Sequence, residues 1–180
     1  ELGYEVLTGR DVCLDEARMG LPDQEMLDKQ YERALEQGAV QPYAQQAKDG
    51  FTGVIGILNC GEGPVIAMRF DIDALGVFEE KADTHRPAQE GFCSANDGMM
   101  HACGHDGHAS IGLAVAEILM ELKDRLHGRI KLIFQPAEEG VRGARGIVEH
   151  GHLDDVDFVI GNHMGDNDGS DYQIGLSTGG

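Results

Sequence analysis

Three short stretches of this chain concentrate side chains that bind divalent metals or transfer protons. Residues 99–108, M-M-H-A-C-G-H-D-G-H, include three histidines, a cysteine and an aspartate. The sequence Q-P-A-E-E-G follows at residues 135–140, and G-N-H follows at residues 161–163. Imidazole, thiolate and carboxylate groups are the usual protein ligands of zinc and related divalent metals. Stretches of this composition, each next to a predicted strand or helix, are typical of a metal-dependent hydrolase.

Cys103 and His105 are two residues apart, so in an extended loop both side chains point to the same side. They could bind one metal ion, or the thiolate could bridge two. Glu138 and Glu139 are adjacent and point in different directions, so one can bind metal while the other transfers a proton. His163 follows a predicted strand, where a tight turn would orient its imidazole. A lone histidine or a solvated Glu-Glu pair is common, so the convergence of these residues is the stronger signal.

Further polar residues are expected to hydrogen-bond to the ligands and orient them. These are Asp71, Asp73, His101, Asp106 and His108. The sequence does not predict which residues bind the substrate. Arg142 and Arg145 lie about one helical turn after Glu139, where they could meet a substrate carboxylate or form part of a solvated helix face.

Apolar patterns predict the elements that position these residues. Strands are expected within residues 1–20 and at 51–59, 65–73, 130–134 and 157–161, and helices at 21–38, 107–126 and 141–150. In the long helix, Ile111, Val115, Ile118 and Leu122 are predicted to line one face. Residues 76–98 have no apolar period and are predicted to form a long loop.

The alternation of strands and helices predicts an α/β fold with a mostly parallel sheet flanked by helices. In open α/β sheets, ligands bind beyond the carboxyl ends of the strands. The candidate residues fall at that edge, after the predicted strands or directly before the long helix. We therefore expect side chains far apart in the sequence to form one site.

The composition limits which partners the protein can bind and which compartment it is expected in. The chain has 180 residues, enough for one domain, and a formal net charge of −18, which argues against nucleic acid or an anionic membrane surface as partner. No apolar run approaches the length of a transmembrane helix, and the first residues do not resemble a signal peptide. The four cysteines show no C-x-x-C pair and no regular spacing, so a disulfide framework is not expected. This argues for a reducing compartment and a cytoplasmic protein.

The same segments resemble the M20 metallopeptidase family. D-I-D-A-L, M-H-A-C-G-H-D-G-H, F-Q-P-A-E-E-G and G-N-H-M-G occur in the family's order, and the cysteine motif is that of its amidohydrolase branch. The resemblance implies a two-metal site with Cys103, His105, Glu139 and His163 as ligands and Glu138 as general acid/base. It implies manganese as the metal, while a thiolate ligand also suits zinc.

The resemblance also implies hydrolysis of a small-molecule amide with release of an amino acid. The longer matching stretches are most similar to branch members that cleave p-aminobenzoyl-glutamate, a folate breakdown product, to p-aminobenzoate and glutamate. Such enzymes contain a lid or dimerisation domain and a further histidine ligand. Residues 1–180 are therefore expected to be the first part of the catalytic domain, inactive alone, in a homo- or hetero-oligomer with a related second subunit.

Three alternatives stay open on the sequence alone. A general N-acyl amino acid or dipeptide hydrolase would keep the mechanism and change the substrate. A cysteine hydrolase that uses Cys103 as nucleophile would survive chelators and be inactivated by alkylation. A non-catalytic metal-binding or assembly module would take up metal without turnover.

Overall fold

Five strands form one sheet in the order β1-β2-β4-β3-β5 in the computed structural model, which describes residues 2–165. The strands are Glu5–Thr8 (β1), Val54–Asn59 (β2), Val65–Asp71 (β3), Arg129–Gln135 (β4) and Phe158–Gly161 (β5). β3 pairs in parallel with β4 and β5, whereas β2 pairs antiparallel with β1 and β4. Among the described strands only β2 therefore opposes the common direction, which confirms the predicted α/β class with a mostly parallel sheet.

The helices connect the strands close to the predicted positions. They are Gln24–Glu36 (α1), Tyr43–Gln46 (α2), Arg86–Gln89 (α3), His105–Glu121 (α4) and Gly143–Glu149 (α5). α1 begins later than predicted, because the side chain of Asp23 caps it by accepting a hydrogen bond from the N–H of Met26 at 2.8 Å. The predicted loop at 76–98 is largely irregular and contains α3. Within residues 2–165, no helix is long and apolar enough to cross a membrane.

Apolar clusters cover both faces of the sheet, since successive strand side chains point to opposite faces. The first cluster includes Ile55, Ala67, Ile133 and Ile147, so it joins α5 to one face. The second includes Phe70, Ala116, Ile130 and Leu132, so it joins α4 to the other. The central strands β2, β3 and β4 are thus covered on both faces, whereas β5 is exposed.

The predicted apolar face of α4 is only partly buried, since Val115 packs against the second cluster. Ile111 and Ile118 are 42% and 53% exposed, whereas Gly112 and Ala116 are buried against the sheet. A Cβ atom at Gly112 would lie 2.7 Å from Cε1 of Phe134, closer than carbon atoms normally pack. The helix approaches the sheet through small residues, which an apolar pattern does not identify as the buried face.

Candidate metal centre

The candidate ligands converge at the edge of the sheet where β3, β4 and β5 end. Potential ligand atoms of Cys103, His105 and His163 all lie within 4.8 Å of one another. The same is true of His105, Glu138 and Glu139. The two groups meet at His105, which can bind one cation, and Cys103, His163 and the two glutamates offer further ligand atoms around it.

His105 is completely buried in the first turn of α4. Its Nδ1 donates a hydrogen bond of 2.9 Å to the backbone carbonyl of Asp73, which leaves the lone pair on Nε2. Within residues 2–165 this buried Nε2 has no hydrogen-bond partner. An unpaired buried polar atom costs free energy, and a coordinated cation would remove that cost.

His163 makes the same kind of Nδ1 hydrogen bond as His105, but it is exposed. Its Nδ1 donates a hydrogen bond of 2.7 Å to the carbonyl of Met164. Its Nε2 therefore presents a lone pair, and lies 3.6 Å from Sγ of Cys103. A backbone carbonyl that fixes the tautomer in this way is typical of metal-binding histidines.

Burial raises the pKa of the Cys103 thiol, and the nearby carboxylates of Glu139 and Glu138 raise it further. The thiol is therefore expected to stay protonated among these negative charges. A divalent cation would reverse the balance, because a coordinated thiol loses its proton.

Asp73 positions both glutamates. Its Oδ1 accepts a hydrogen bond from the backbone N–H of Glu138, and its Oδ2 accepts one from that of Glu139, each at 3.0 Å. Ala137, directly before them, has a φ of 52° in the left-handed region. One carboxylate thus connects the loop after β3 to the turn after β4, in a backbone conformation that few non-glycine residues adopt.

The two glutamates differ in how their carboxylates are buried. Oε1 of Glu139 is buried without a hydrogen-bond partner among the described residues and lies 3.8 Å from Nε2 of His105. The side chain of Glu138 is 36% exposed and that of Glu139 is 28% exposed. Oε2 of Glu138 lies at the same distance of 3.8 Å from Nε2 of His105. Among the described residues, the unpartnered buried oxygen is what makes Glu139 the better ligand, and Glu138 is slightly more exposed.

Asp71 and His108 form a completely buried pair beside His105. Nδ1 of His108 donates a hydrogen bond to Oδ1 of Asp71, and Nη1 of Arg69 lies 2.7 Å from Oδ2. Burial raises the pKa of Asp71, but the hydrogen bond from His108 and the charge of Arg69 outweigh it and hold that pKa below its usual value. Asp71 therefore accepts hydrogen bonds as an anion at neutral pH.

Comparison with known proteins identifies the family to which this chain belongs. The profile of Peptidase family M20/M25/M40 matches residues 67–179, which include every candidate ligand. The chain belongs to Peptidase family M20/M25/M40. Two proteins and one solved structure illustrate how similar the M20 chain is to other proteins in sequence and in fold.

One subunit of the p-aminobenzoyl-glutamate hydrolase of Escherichia coli (strain K12) is 51% identical over 92% of this chain and 38% of its own length. Indole-3-acetyl-aspartic acid hydrolase of Enterobacter agglomerans is 52% identical with the same coverage. A solved Bacillus subtilis structure, described as a dinuclear metal-binding peptidase from the M20 family, is 34% identical with a TM-score of 0.56, covering 83% of this chain and 40% of that one. The M20 chain thus spans about two fifths of each protein.

Two predicted residues of the M20 chain do not join the cluster. His101 is exposed before the helix, and Asp106 is exposed in the first turn of α4. A carboxylate in that turn is favoured by the helix dipole, which accounts for Asp106 without a metal. A role for either residue in orienting the ligands stays a prediction.

The sequence predicted that Asn162 and Met164 belong to a turn that orients His163, but it did not predict their individual contacts. The backbone N–H of Met164 donates a hydrogen bond to Nε2 of His108, and a backbone donor has no residue-type signal. Oδ1 of Asn162 is buried without a partner among the described residues. Its place between Gly161 and His163 was the available signal.

A separate group lies in the long loop of the M20 chain. Ligand atoms of Glu79, His85 and Cys93 lie within 4.8 Å of one another. Glu79 already receives hydrogen bonds from Nε2 of His85 at 3.0 Å and from the N–H of Ser94. Both carboxylate oxygens are therefore engaged in holding the loop together.

Proposed function

We propose that residues 1–180 form the first part of the catalytic domain of a two-metal amidohydrolase. The observation that supports this most is the pair of buried, unpartnered atoms His105 Nε2 and Glu139 Oε1, which lie 3.8 Å apart. Two polar atoms buried side by side without a hydrogen bond fit a site that binds a cation. Cys103 and His163 supply the remaining proposed ligands.

The donor set suits two divalent cations, with manganese favoured by the family resemblance and zinc as the alternative that the Cys103 thiol supports. When bound, such cations supply Lewis acidity, which polarises a carbonyl and lowers the pKa of water. Glu138 takes the proton from the attacking water and returns it to the leaving amine. Asp73 keeps Glu138 and Glu139 at fixed positions through their backbone N–H groups.

The proposed substrate is p-aminobenzoyl-glutamate, which would be cleaved to p-aminobenzoate and glutamate. It rests on the similarity to the matching subunit of the Escherichia coli hydrolase, which also suggests a related partner chain. A lid domain and a further histidine ligand are proposed to complete the site from outside these 180 residues, so this part alone is expected to be inactive. The four free cysteines are consistent with a reducing, cytoplasmic environment.

The test is hydrolysis of p-aminobenzoyl-glutamate by the full-length protein with its partner chain, first after chelation and again with manganese or zinc restored. Glu138→Gln should lower kcat by about 10²–10⁴-fold while metal content stays unchanged. The matched neighbour Glu139→Gln should lose metal as well as activity. If the protein hydrolyses only other N-acyl amino acids, the proposed mechanism stands and the proposed substrate is wrong. If it binds metal but hydrolyses no amide, it is a metal-binding module and not an enzyme.

One observation favours a second mechanism. Sγ of Cys103 lies 3.6 Å from Nε2 of His163, which is near the spacing of a cysteine nucleophile and its base. That mechanism predicts activity that survives complete chelation and is lost on alkylation of Cys103. Loss of activity on chelation, with recovery when metal is restored, excludes it.

A further inference from the structure

A cavity of about 490 Å³ opens beside Asp73 and Glu139. Its wall is largely apolar and includes Leu21, Pro22, Leu27, Phe51, Ile72 and Pro136. The lining also includes two arginines, Arg18 and Arg142. The cavity is large enough for part of a small-molecule substrate, and it adjoins the proposed ligand Glu139.

Arg18 is fully engaged by the protein itself. Its guanidinium stacks on the ring of Phe51 at 3.5 Å from the centroid. It also forms an ion pair of 2.6 Å with Asp15 and donates a hydrogen bond of 2.7 Å to the carbonyl of Asp49. Because its guanidinium is already engaged, Arg18 stabilises the wall of the cavity and is not expected to bind a ligand.

Arg142 has no carboxylate partner within residues 2–165, although acidic residues outnumber basic ones by 32 to 14 in the chain. Among the described residues, its Nη1 makes only a long hydrogen bond of 3.3 Å, to the carbonyl of Gly20. By contrast, Arg145, three residues later, pairs with Glu149 at 2.6 Å. Most donors of the Arg142 guanidinium therefore have no partner in the part of the chain that the structure describes, and they lie beside the cavity.

The backbone fixes Arg142 relative to the glutamates. The N–H groups of Arg142 and Gly143 donate to the carbonyl of Ala137 at 3.2 and 2.8 Å, which closes the turn that contains Glu138 and Glu139. A Cβ atom at Gly143 would lie 1.6 Å from the carbonyl oxygen of Pro136, so only glycine fits there. The backbone of Arg142 is thus fixed in the same constrained turn as Glu139, so its side chain starts from a defined position next to the cavity.

We propose that Arg142 binds the side-chain carboxylate of the amino acid that the enzyme releases. This inference rests on the proposed function and adds its substrate class, N-acyl conjugates of acidic amino acids. The names of the Escherichia coli and Enterobacter agglomerans relatives specify a glutamate and an aspartate conjugate. A guanidinium pairs with a carboxylate through two parallel N–H···O bonds, which a neutral amide cannot reproduce.

The test compares p-aminobenzoyl-glutamate with p-aminobenzoyl-glutamine, which keeps the α-carboxylate but lacks the charged side chain. The full-length protein with its partner chain should prefer the glutamate conjugate. Arg142→Gln should lower kcat/KM for that conjugate by about 10–100-fold and leave the glutamine conjugate within about 2-fold, since hydrogen bonds to a charged group are the interaction removed. Arg145→Gln, the matched control, should change neither.

Turnover of the glutamine conjugate also shows that the Arg142→Gln protein is folded. An equal loss on both conjugates, or no preference in the wild type, would overturn the inference and leave the proposed function intact. If the metal-loaded wild type cleaves neither conjugate, the proposed function fails, and the inference fails with it.

Discussion

The backbone N–H of Met164 donates a hydrogen bond of 2.7 Å to Nε2 of His108, while the carbonyl of the same residue accepts one of 2.7 Å from His163. Since Nδ1 of His108 donates to Asp71, both ring nitrogens of His108 are engaged. His108 is therefore unsuited to bind metal, although Asp71, His105 and His108 have ligand atoms within 4.8 Å of one another. We infer that His108 holds the segment that presents His163, through the N–H of Met164.

Removal of this anchor should weaken metal binding without removing a ligand. His108→Ala is expected to lower metal affinity by about 10–100-fold, the usual effect of losing a group that orients a ligand. Equilibrium dialysis of the full-length protein measures it, with circular dichroism to confirm the fold. The exposed His127 provides the control variant, His127→Ala. Unchanged affinity in folded His108→Ala protein would contradict the role.

Asp73→Asn should impair turnover by displacing the glutamates. Asparagine keeps one oxygen acceptor but places an NH₂ group against the N–H of Glu138 or Glu139, which both donate to Asp73. Because small displacements of catalytic groups are costly, kcat/KM should fall by about 10²-fold. Steady-state kinetics measures the change, and the exposed Asp124→Asn is the control. Equal kinetics in both variants would disprove the positioning role of Asp73.

Gly112→Ala should destabilise the fold, although alanine is normally the better helix former. The added Cβ would lie 2.7 Å from Cε1 of Phe134 and 2.9 Å from Cγ of Phe70. Overpacking of this kind costs about 1–3 kcal/mol of unfolding free energy. Urea unfolding checks it against Gly76→Ala, where a Cβ has no atom within 4 Å. Equal stability of the two variants would show that the α4–sheet contact can relax.

The ion pair between Lys131 and Asp155 should make stability depend on pH. Nζ of Lys131 lies 2.5 Å from Oδ1 of Asp155, and the side chain of Lys131 is only 7% exposed. The hydrogen bond from Lys131 holds the pKa of Asp155 below its ordinary 3.8. A lowered carboxylate pKa stabilises the fold above the ordinary value, and that contribution is lost as pH falls through the lowered one.

Asp155→Asn should therefore cost about 1–2 kcal/mol at pH 7, a figure reduced for the partial exposure of Asp155. The difference from wild type should shrink as the pH falls below 4. Thermal unfolding across that range measures it, with the exposed neighbour Asp154→Asn as control. A difference that stays constant down to pH 2 would exclude the ion pair as its source.

Local sequence patterns predicted which segments form strands and helices, because each strand is a short apolar run between turn residues. They did not predict that β2 runs against the other strands, since direction is set by pairing between distant segments. They also identified only part of the buried face of α4, since Val115 packs against the core but Ile111 and Ile118 are exposed. The contact there depends on Gly112 and on the rings of Phe70 and Phe134, and small residues give no hydrophobic signal.

The residue types of the candidate site could be predicted, because Cys103, His105 and Glu139 stand in short motifs at the ends of elements. What could not be predicted is which atom each residue uses. The backbone carbonyl of Asp73 orients His105, and its carboxylate holds the two glutamates. These roles depend on the distance between chain segments, and only the assembled sheet sets it.

The proposed ligands follow β3, β4 and β5 in space but are separated by up to sixty residues in sequence, as between Cys103 and His163. An unfolded chain cannot bring them together, so a cation would bind the native state almost exclusively. Thermodynamic linkage then makes the stability of the fold a function of free metal concentration. At 100 times the dissociation constant the added stability is about 2.7 kcal/mol, so the midpoint of unfolding would itself report site occupancy.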